Sequence, residues 1–319
     1  MDTFDRLQYF WYRFKYRHGQ HLALKKPVDV SLELSSLCNM KCEYCYHSSP
    51  DTPFKKGFMT FEVAKKILVN AADLGVPAIK LNWKGESTFN PIFPKVTELA
   101  WQLASGSTFM DRLTNSNFKF RTDQDAIFDG LCYQTKVKVS YDSFIKSVFE
   151  TQRAGGDHEL TTRNIDKFYN YPKRKNTKLV IQAVRTNLNK NEDIAGQAKR
   201  RWPEATISIR DMVAGRIDKD LEKLENMIRD ASGRQSCLQA HVRVIFNHQG
   251  KAFVCCPDVK EELNIGDINK SSLSFIFNSA RAIELRSSLK NKSAFIKYNA
   301  CKNCSSFESY ANFAPKWDS

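Results

Sequence analysis

Glycine and proline are scarce, at 13 and 10 of 319 residues. That excludes collagen-like and low-complexity chains. Long apolar runs are missing as well; none approaches the roughly 18–20 residues of a membrane-spanning helix. The first residues, Met1-Asp2-Thr3-Phe4-Asp5, lack the basic start of a secretory signal, and Tyr9–Tyr16 is interrupted by Arg13 and Lys15. The expected location is therefore the cytoplasm. Negative charge is also in short supply: 35 Asp and Glu stand against 49 Lys and Arg, a net charge of +14. An excess of this size fits an anionic partner such as nucleic acid, a phosphorylated substrate or acidic lipid. Its runs, Lys173-Arg174-Lys175 and Lys199-Arg200-Arg201, are short and scattered, so much of it reads as ordinary solvated surface.

What is present is a globular composition, with 42% hydrophobic and 26% charged residues. The length fits two domains or one large α/β domain. Residues 4–17 place Phe4, Leu7, Phe10, Trp11 and Phe14 at helical spacing, an amphipathic helix packing on the neighbouring domain. Arg13, Lys15 and Arg17 leave nucleic-acid or membrane contact as its other reading. From residue 28 strands and helices alternate. Strands are expected at Val28–Leu34, Ala78–Trp83, Asp111–Thr114, Val137–Tyr141, Leu179–Val184 and Thr206–Arg210. Helices are expected at Thr60–Leu74, with Thr60 as N-cap and Gly75 as its stop, and at Pro94–Ala104. Repeated β-α units make a parallel sheet, here a partial barrel with ligands at the C-terminal strand ends. Near residue 230 the texture changes. Val242–Phe246 and Lys251–Val254 flank Asn247-His248-Gln249-Gly250, a hairpin signal, followed by a helix over Leu273–Ser288 and a Cys-rich tail. The expected divisions are an N-terminal helix over 1–27, a barrel over 28–229 and a second domain over 230–319.

The nine cysteines are the strongest signal. In a reducing compartment they favour metal or catalytic roles over disulfides. Cys38, Cys42 and Cys45 form C-x3-C-x2-C directly after a strand. Four thiolates would close a structural site; three leave an open position for reaction. Cys301-x2-Cys304 is a metal knuckle, and Cys237 and Cys255 flank the hairpin. Spacing alone allows those four to hold zinc. Cys132 reads as a buried small hydrophobe.

The segment Cys38-Asn39-Met40-Lys41-Cys42-Glu43-Tyr44-Cys45 resembles the signature of the radical S-adenosylmethionine (radical SAM) enzymes. Lys84-Gly85-Glu86 resembles that family's Gly-Gly-Glu after strand two, with Lys84 in place of the first glycine. Thr114-Asn115-Ser116, Ser140-Tyr141-Asp142 and Arg153-Ala154-Gly155 resemble its motifs after strands three and four. The tail, from Gly250-x4-Cys255 through Asn264-Ile265-Gly266-Asp267-Ile268 to Cys301-x2-Cys304, resembles the family's twitch or SPASM extension. The resemblance implies an α/β fold, a partial (β/α)6 TIM-like barrel with a small C-terminal α+β iron–sulfur domain. It implies two [4Fe-4S] clusters, one SAM-binding on Cys38, Cys42 and Cys45, one auxiliary on Cys237, Cys255, Cys301 and Cys304. It places SAM against Tyr44, Gly85, Glu86, Asn115, Ser140 and Arg153.

The implied activity is hydrogen-atom abstraction from a substrate by a 5'-deoxyadenosyl radical, with electrons from a flavodoxin-like or ferredoxin-like donor. Two outcomes are expected for a small polar, sugar-like or nucleotide-linked metabolite. Oxidation needs a base, for which Asp142, Arg185, Arg210 and Asp211 stand near strand ends. Epimerisation needs a hydrogen-atom donor, for which Cys256 stands beside Cys255. RNA or peptide modification is one alternative, with nucleic acid less favoured. A non-enzymatic electron-transfer iron–sulfur protein is another.

Overall fold

The computed structural model describes residues 3–48, 54–211, 237–302 and 304. The expected boundary at 229/230 lies outside the described residues. Nine strands form one sheet in the order β6-β5-β4-β3-β2-β1-β7-β8-β9. They are β1 (Asp29–Leu32), β2 (Ala78–Lys80), β3 (Asp111–Ser116), β4 (Lys136–Ser140), β5 (Lys178–Arg185), β6 (Thr206–Asp211), β7 (Arg243–Phe246), β8 (Lys251–Phe253) and β9 (Asn264–Asp267). All pairs from β6 to β7 are parallel, and β8 and β9 add antiparallel. The hairpin strand β7 thus pairs with β1 and continues the sheet of the six expected strands.

Helices cover one face: α2 (Phe61–Asp73), α3 (Phe93–Gln102), α4 (Asp125–Cys132), α5 (Lys146–Gln152), α6 (His158–Tyr169) and α7 (Ile194–Arg201), after α1 (Thr3–His18). Thr60 caps α2 by accepting from the Val63 amide at 3.3 Å, and Gly75, at φ +60°, ends it. Alternation sends Val30, Leu32, Ile79, Leu81, Val137 and Val139 toward the helices, where they are almost wholly buried with Ile67, Phe93, Phe128 and Phe168. Each such side chain contributes about 1.5–3 kcal/mol by leaving water. The opposite parity carries Asp29, Ser31, Lys80, Asn82, Asn115, Lys138 and Ser140, so the sheet's inner face is polar.

The helix expected over Leu273–Ser288 is two pieces, Leu273–Phe277 and Ala280–Lys290. Ser279 caps the second by accepting from Ala282 at 3.2 Å while donating to the Ile265 carbonyl at 3.1 Å. A serine that bonds the backbone locally breaks the helix there.

Helix α1 closes the N-terminal end of the barrel. Tyr12 is buried with Val28, Ala78 and Val242 and donates to Asp111 at 3.4 Å. Tyr16 accepts from Arg243 at 2.9 Å, and Arg243 pairs with Asp29 at 3.0 Å. Leu7, Phe10 and Trp11 remain exposed on the other side.

Lys84, where the family's first glycine was expected, ties the barrel to the hairpin region. Its side chain is wholly buried, 2.5 Å from Glu261 and 3.8 Å from Glu33, with its ammonium 4.1 Å from the Trp83 ring centre. The His248 amide also donates to Glu33 at 3.1 Å. Removing one partner of a buried ion pair strands the others. Lys84→Met should therefore destabilise the chain by about 3 kcal/mol or more. Adding Glu261→Gln should recover part of that loss, as read from urea-unfolding midpoints.

Candidate functional site

The cysteine loop is held at the C-terminal ends of β1 to β4. Gly85 donates to the Ser35 carbonyl at 3.1 Å and Glu86 to the Leu37 carbonyl at 2.9 Å, drawing the loop after β2 against the loop after β1. A Cβ at Gly85 would run into the Ser35 and Leu37 carbonyl oxygens and lie 2.8 Å from the Ser36 carbonyl carbon. Only glycine fits that approach. Past the cysteines, Tyr46 donates to the Trp83 carbonyl at 3.2 Å, and a ring nitrogen of His47 lies 2.7 Å from the Ser36 carbonyl oxygen.

Glu86 is buried. It accepts from Thr88 (backbone 3.1 Å, hydroxyl 2.8 Å) and from the Asn117 amide at 2.7 Å. Burial pushes its pKa up. The Ser116 side chain bonds it as well, so four donors meet this carboxylate. Asn117 also donates to Asn39 at 2.8 Å and lies 3.9 Å from the Cys38 sulfur. Asn39 in turn donates to the Lys119 carbonyl at 2.6 Å. Sequence reasoning stopped at Thr114-Asn115-Ser116 and missed Asn117; an asparagine beyond a strand carries no signal until the loops are placed. Asn115 itself has a buried amide oxygen with no partner among the described residues.

Asp142 is fully buried and collects the loop from the other side. Arg153 grips it through Nε at 2.9 Å and Nη2 at 3.0 Å, the Val184 amide donates at 2.8 Å, and the Tyr44 hydroxyl donates to it as well. The third nitrogen of Arg153 is 3.8 Å from the Cys42 sulfur. Burial lowers the Arg153 pKa, but Asp142 and Tyr44 more than offset it, and the guanidinium is held charged. Burial and Asp142 raise the Tyr44 pKa against the opposing pull of Arg153. Two expectations change accordingly. Asp142 was a candidate base; with Arg153, Tyr44 and Val184 on its oxygens it positions the cysteine loop. Arg153 was expected against SAM; the Asp142 side of its fork is already filled.

The other base candidates separate by strand alternation. Arg185 pairs with Asp211 and Val184 with Arg210 in the β5–β6 register. Arg185 and Asp211 share the helix-facing parity of Ile181 and Ile207 and are exposed at the strand ends. Arg210 has the inner parity, and it acts electrostatically on Lys138. Ser140 ends β4, half-buried on the inner face.

Among the tail cysteines, Cys237, Cys255, Cys301 and Cys304 all lie within electrostatic reach of one another. Burial pushes the Cys237 thiol up to about 11 and the Cys301 thiol up to about 12, and Cys38 likewise to about 12. Bound metal would draw them to thiolates. Among the described residues, no three His, Cys, Asp or Glu side chains converge as tightly as one metal ion requires. Zinc–sulfur bonds of about 2.3 Å demand such convergence. Cys256 packs against Trp83, Ile245 and Phe253, and its carbonyl accepts from the Trp83 indole at 2.8 Å. Cys132 is partly buried against the core.

Fold and site together define the class: the chain has the radical SAM fold, a partial α/β barrel with a C-terminal SPASM-type domain. Residues 237–305 match the family model SPASM, an iron–sulfur cluster-binding domain. The chain is similar in fold to BtrN in complex with AdoMet and 2-DOIA, at 16% identity and TM-score 0.58, covering 87% of this chain and 92% of that one. It is similar to Streptococcus suis SuiB bound to S-adenosylmethionine, at 14% identity and TM-score 0.65, covering 90% and 74%. It is similar to anSMEcpe with bound AdoMet, at 16% identity and TM-score 0.60, covering 89% and 88%. A comparison with curated proteins found no match. No helix among the described residues is long and apolar enough to cross a membrane.

Neutralising Asp142 should leave Arg153 as an uncompensated buried charge. Asp142→Asn is expected to cost about 3–5 kcal/mol of stability. It should also release Tyr44, read as increased quenching of tyrosine fluorescence by added acrylamide. Wild-type stability in this variant would show that Asp142 does not organise the loop.

Proposed function

We propose that this chain is a radical SAM enzyme that oxidises or epimerises a carbon centre of a small polar, sugar-like or nucleotide-linked metabolite. The observation that carries the reading is the convergence of Cys38, Cys42, Glu86, Asn117, Asp142 and Arg153 on one loop at the open end of a polar-lined barrel. The residues fit the groups this fold implies. Gly85 allows backbone contact where a side chain would intrude, Asn115 keeps an unpartnered buried oxygen, and the three loop cysteines are half-buried side by side. Cys38, Cys42 and Cys45 would hold the catalytic cluster; Cys237, Cys255, Cys301 and Cys304 the auxiliary one. Tyr44, Gly85, Glu86, Asn115 and Ser140 would line SAM. When bound, cluster and SAM together supply a 5'-deoxyadenosyl radical able to take a hydrogen atom from an unactivated carbon.

The chain's own residues then decide the outcome. Glu86 would meet the ammonium group of SAM as a buried carboxylate held by Thr88 and Asn117. Burial raises the Cys42 pKa, and Arg153, held by Asp142, opposes that rise with positive charge beside the sulfur. Cys256, next to the auxiliary set and within electrostatic reach of Lys80 on the inner face, would return the hydrogen atom in an epimerisation. Oxidation makes no such demand on it. The physiological electron donor would be flavodoxin-like or ferredoxin-like. Peptide modification is the second reading, because the fold is shared with SuiB bound to precursor peptide SuiA (13% identity, TM-score 0.64) and with anSMEcpe bound to AdoMet and Cp18Cys peptide (16% identity, TM-score 0.58).

Anaerobically reconstituted protein given SAM and dithionite should form 5'-deoxyadenosine, measured by mass spectrometry, while Cys42→Ala should form none. Product at the level of the Cys42→Ala control would sink the radical reading. Once a substrate is found, Cys256→Ala separates the outcomes. Loss of turnover with SAM cleavage retained marks epimerisation; undiminished turnover marks oxidation.

A further inference from the structure

We propose that the outer face of α1 docks this chain on an anionic lipid bilayer surface, lying in the headgroup plane without crossing it. The helix carries two aromatic faces. Tyr9, Tyr12 and Tyr16 turn inward and pack with Val28, Ala78 and Val242. Arg13 sits 5.5 Å from the Tyr12 ring and 5.6 Å from the Tyr16 ring. Leu7, Phe10 and Trp11 turn outward and are 55%, 49% and 48% exposed. The rings that carry hydroxyls are thus inside, and the side chains with least use for water are in it. At 3.6 residues per turn Leu7, Phe10, Trp11 and Phe14 share one arc of about 100°. The rings adjoin along it, with centres 5.9 Å apart for Phe10 and Trp11, 5.7 Å for Trp11 and Phe14, and 6.4 Å for Phe10 and Phe14. Single exposed apolar residues need no explanation, whereas a contiguous stripe marks a docking surface.

The charge around the stripe selects the occupant. Residues 6–28 include Arg6, Arg13, Lys15, Arg17, Lys25 and Lys26 and hold no Asp or Glu. Arg6 and Lys15 are exposed, and helical geometry sets them on opposite borders of the stripe. Apolar side chains between exposed cations match the layering of an anionic bilayer surface. Rings and leucine enter the acyl boundary while guanidinium and ammonium groups stay with the phosphates. A stable protein partner takes about 20–30 residues a side, whereas a bilayer has no fixed shape and accepts one helix face. Single-stranded nucleic acid needs open ring faces on which bases stack. Here Trp11 meets both Phe10 and Phe14 edge to face, and Leu7 offers no ring. Position adds to this. α1 lies at the N-terminal end of the barrel and the cysteine loop at the C-terminal strand ends, so a docked chain keeps its open end toward the aqueous phase. The docking face does not depend on the radical reading.

The test is sedimentation of the full reconstituted protein with vesicles of equal parts phosphatidylglycerol and phosphatidylcholine at low salt, set against phosphatidylcholine alone. Binding should be about tenfold or more tighter to the anionic vesicles and should fall as salt screens the charges. Phe10→Ser/Trp11→Ser should weaken it about tenfold or more, and Arg6→Gln/Lys15→Gln about fivefold or more. These side chains are exposed, so urea-unfolding midpoints should match wild type; should the aromatic pair misfold, the charge pair carries the test. Phe275→Ser removes an exposed ring from the tail and should sediment as wild type does. Brominated lipid should quench tryptophan emission of the wild type, and Trp11→Phe should lose part of that quenching. Absence of wild-type sedimentation, equal sedimentation of the wild type and the folded double variants, or an equal loss in Phe275→Ser would overturn the docking face. Equal binding to both vesicle types would overturn the anionic surface. Binding of an RNA oligonucleotide that the same variants abolish, with no vesicle binding, would assign the face to nucleic acid and overturn the lipid. In vesicle-free solution every variant should form 5'-deoxyadenosine as the wild type does. Vesicle binding by a wild type that forms none would refute the radical reading and leave the docking face standing.

Discussion

A carboxylate taken out of water must be met by charge or by donors, and the C-terminal ends of β1, β2 and β4 each bury one. Glu33 is met by Lys84 and the His248 amide, Glu86 by the amides of Thr88 and Asn117, Asp142 by Arg153 and the Val184 amide. Lys84, the His248 and Asn117 amides, Arg153 and the Val184 amide all come from other segments, so the cost of burial is offset only when those segments assemble together. The cysteine loop is threaded through this assembly: Leu37 bonds Glu86, Asn39 bonds Asn117, and Tyr44 bonds Asp142. Geometry that a reactive site requires is thereby enforced by the electrostatics of folding.

The parts legible in the sequence were those with a local signature. The three-cysteine spacing, the alternation of apolar strands with capped helices, and Glu86 beside Gly85 all stand within a few residues of what defines them. Lys84 was visible only as a departure from a glycine. Its reason, an ion pair with Glu261 across 177 positions, exists only in three dimensions. The partners of Asp142 were hidden for the same cause. A carboxylate at a strand end reads as a base until an arginine closes on it. The break at Ser279 was hidden because apolar spacing runs through it, whereas the bond to the Ile265 carbonyl does not show in one dimension.

Net charge is usually an argument about solubility, and many of the 49 Lys and Arg side chains are exposed on the surface, such as Lys173 beside Asp129 and Arg201 beside Asp166. Lys80 and Lys138 are different in kind. They occupy strand positions whose neighbours on the other parity are fully buried valine, leucine and isoleucine. A strand that contributes apolar residues to one face and lysine to the other is built for two solvents: a packed core outside and a wet or ligand-filled interior within. Composition counts both kinds of lysine alike; strand parity separates them.

The hairpin after residue 237 makes the same point about distance. Because β7 adds to β1 in parallel register, pairing Val244 with Val30 and Phe246 with Leu32, the tail cysteines are positioned by the sheet that positions Cys38. Lys84 locks the contact by reaching Glu261 from the loop that carries Gly85 and Glu86. Trp83, one residue earlier, bonds the Cys256 carbonyl. Three consecutive elements of one loop thus touch the tail, the cysteine loop and the barrel interior. A loop so engaged cannot tolerate the glycine that its family pattern would place at residue 84, since glycine there would leave Glu33 and Glu261 without their cation. In this chain the departure is a structural requirement that ties the loop after β2 to the segment carrying the tail cysteines.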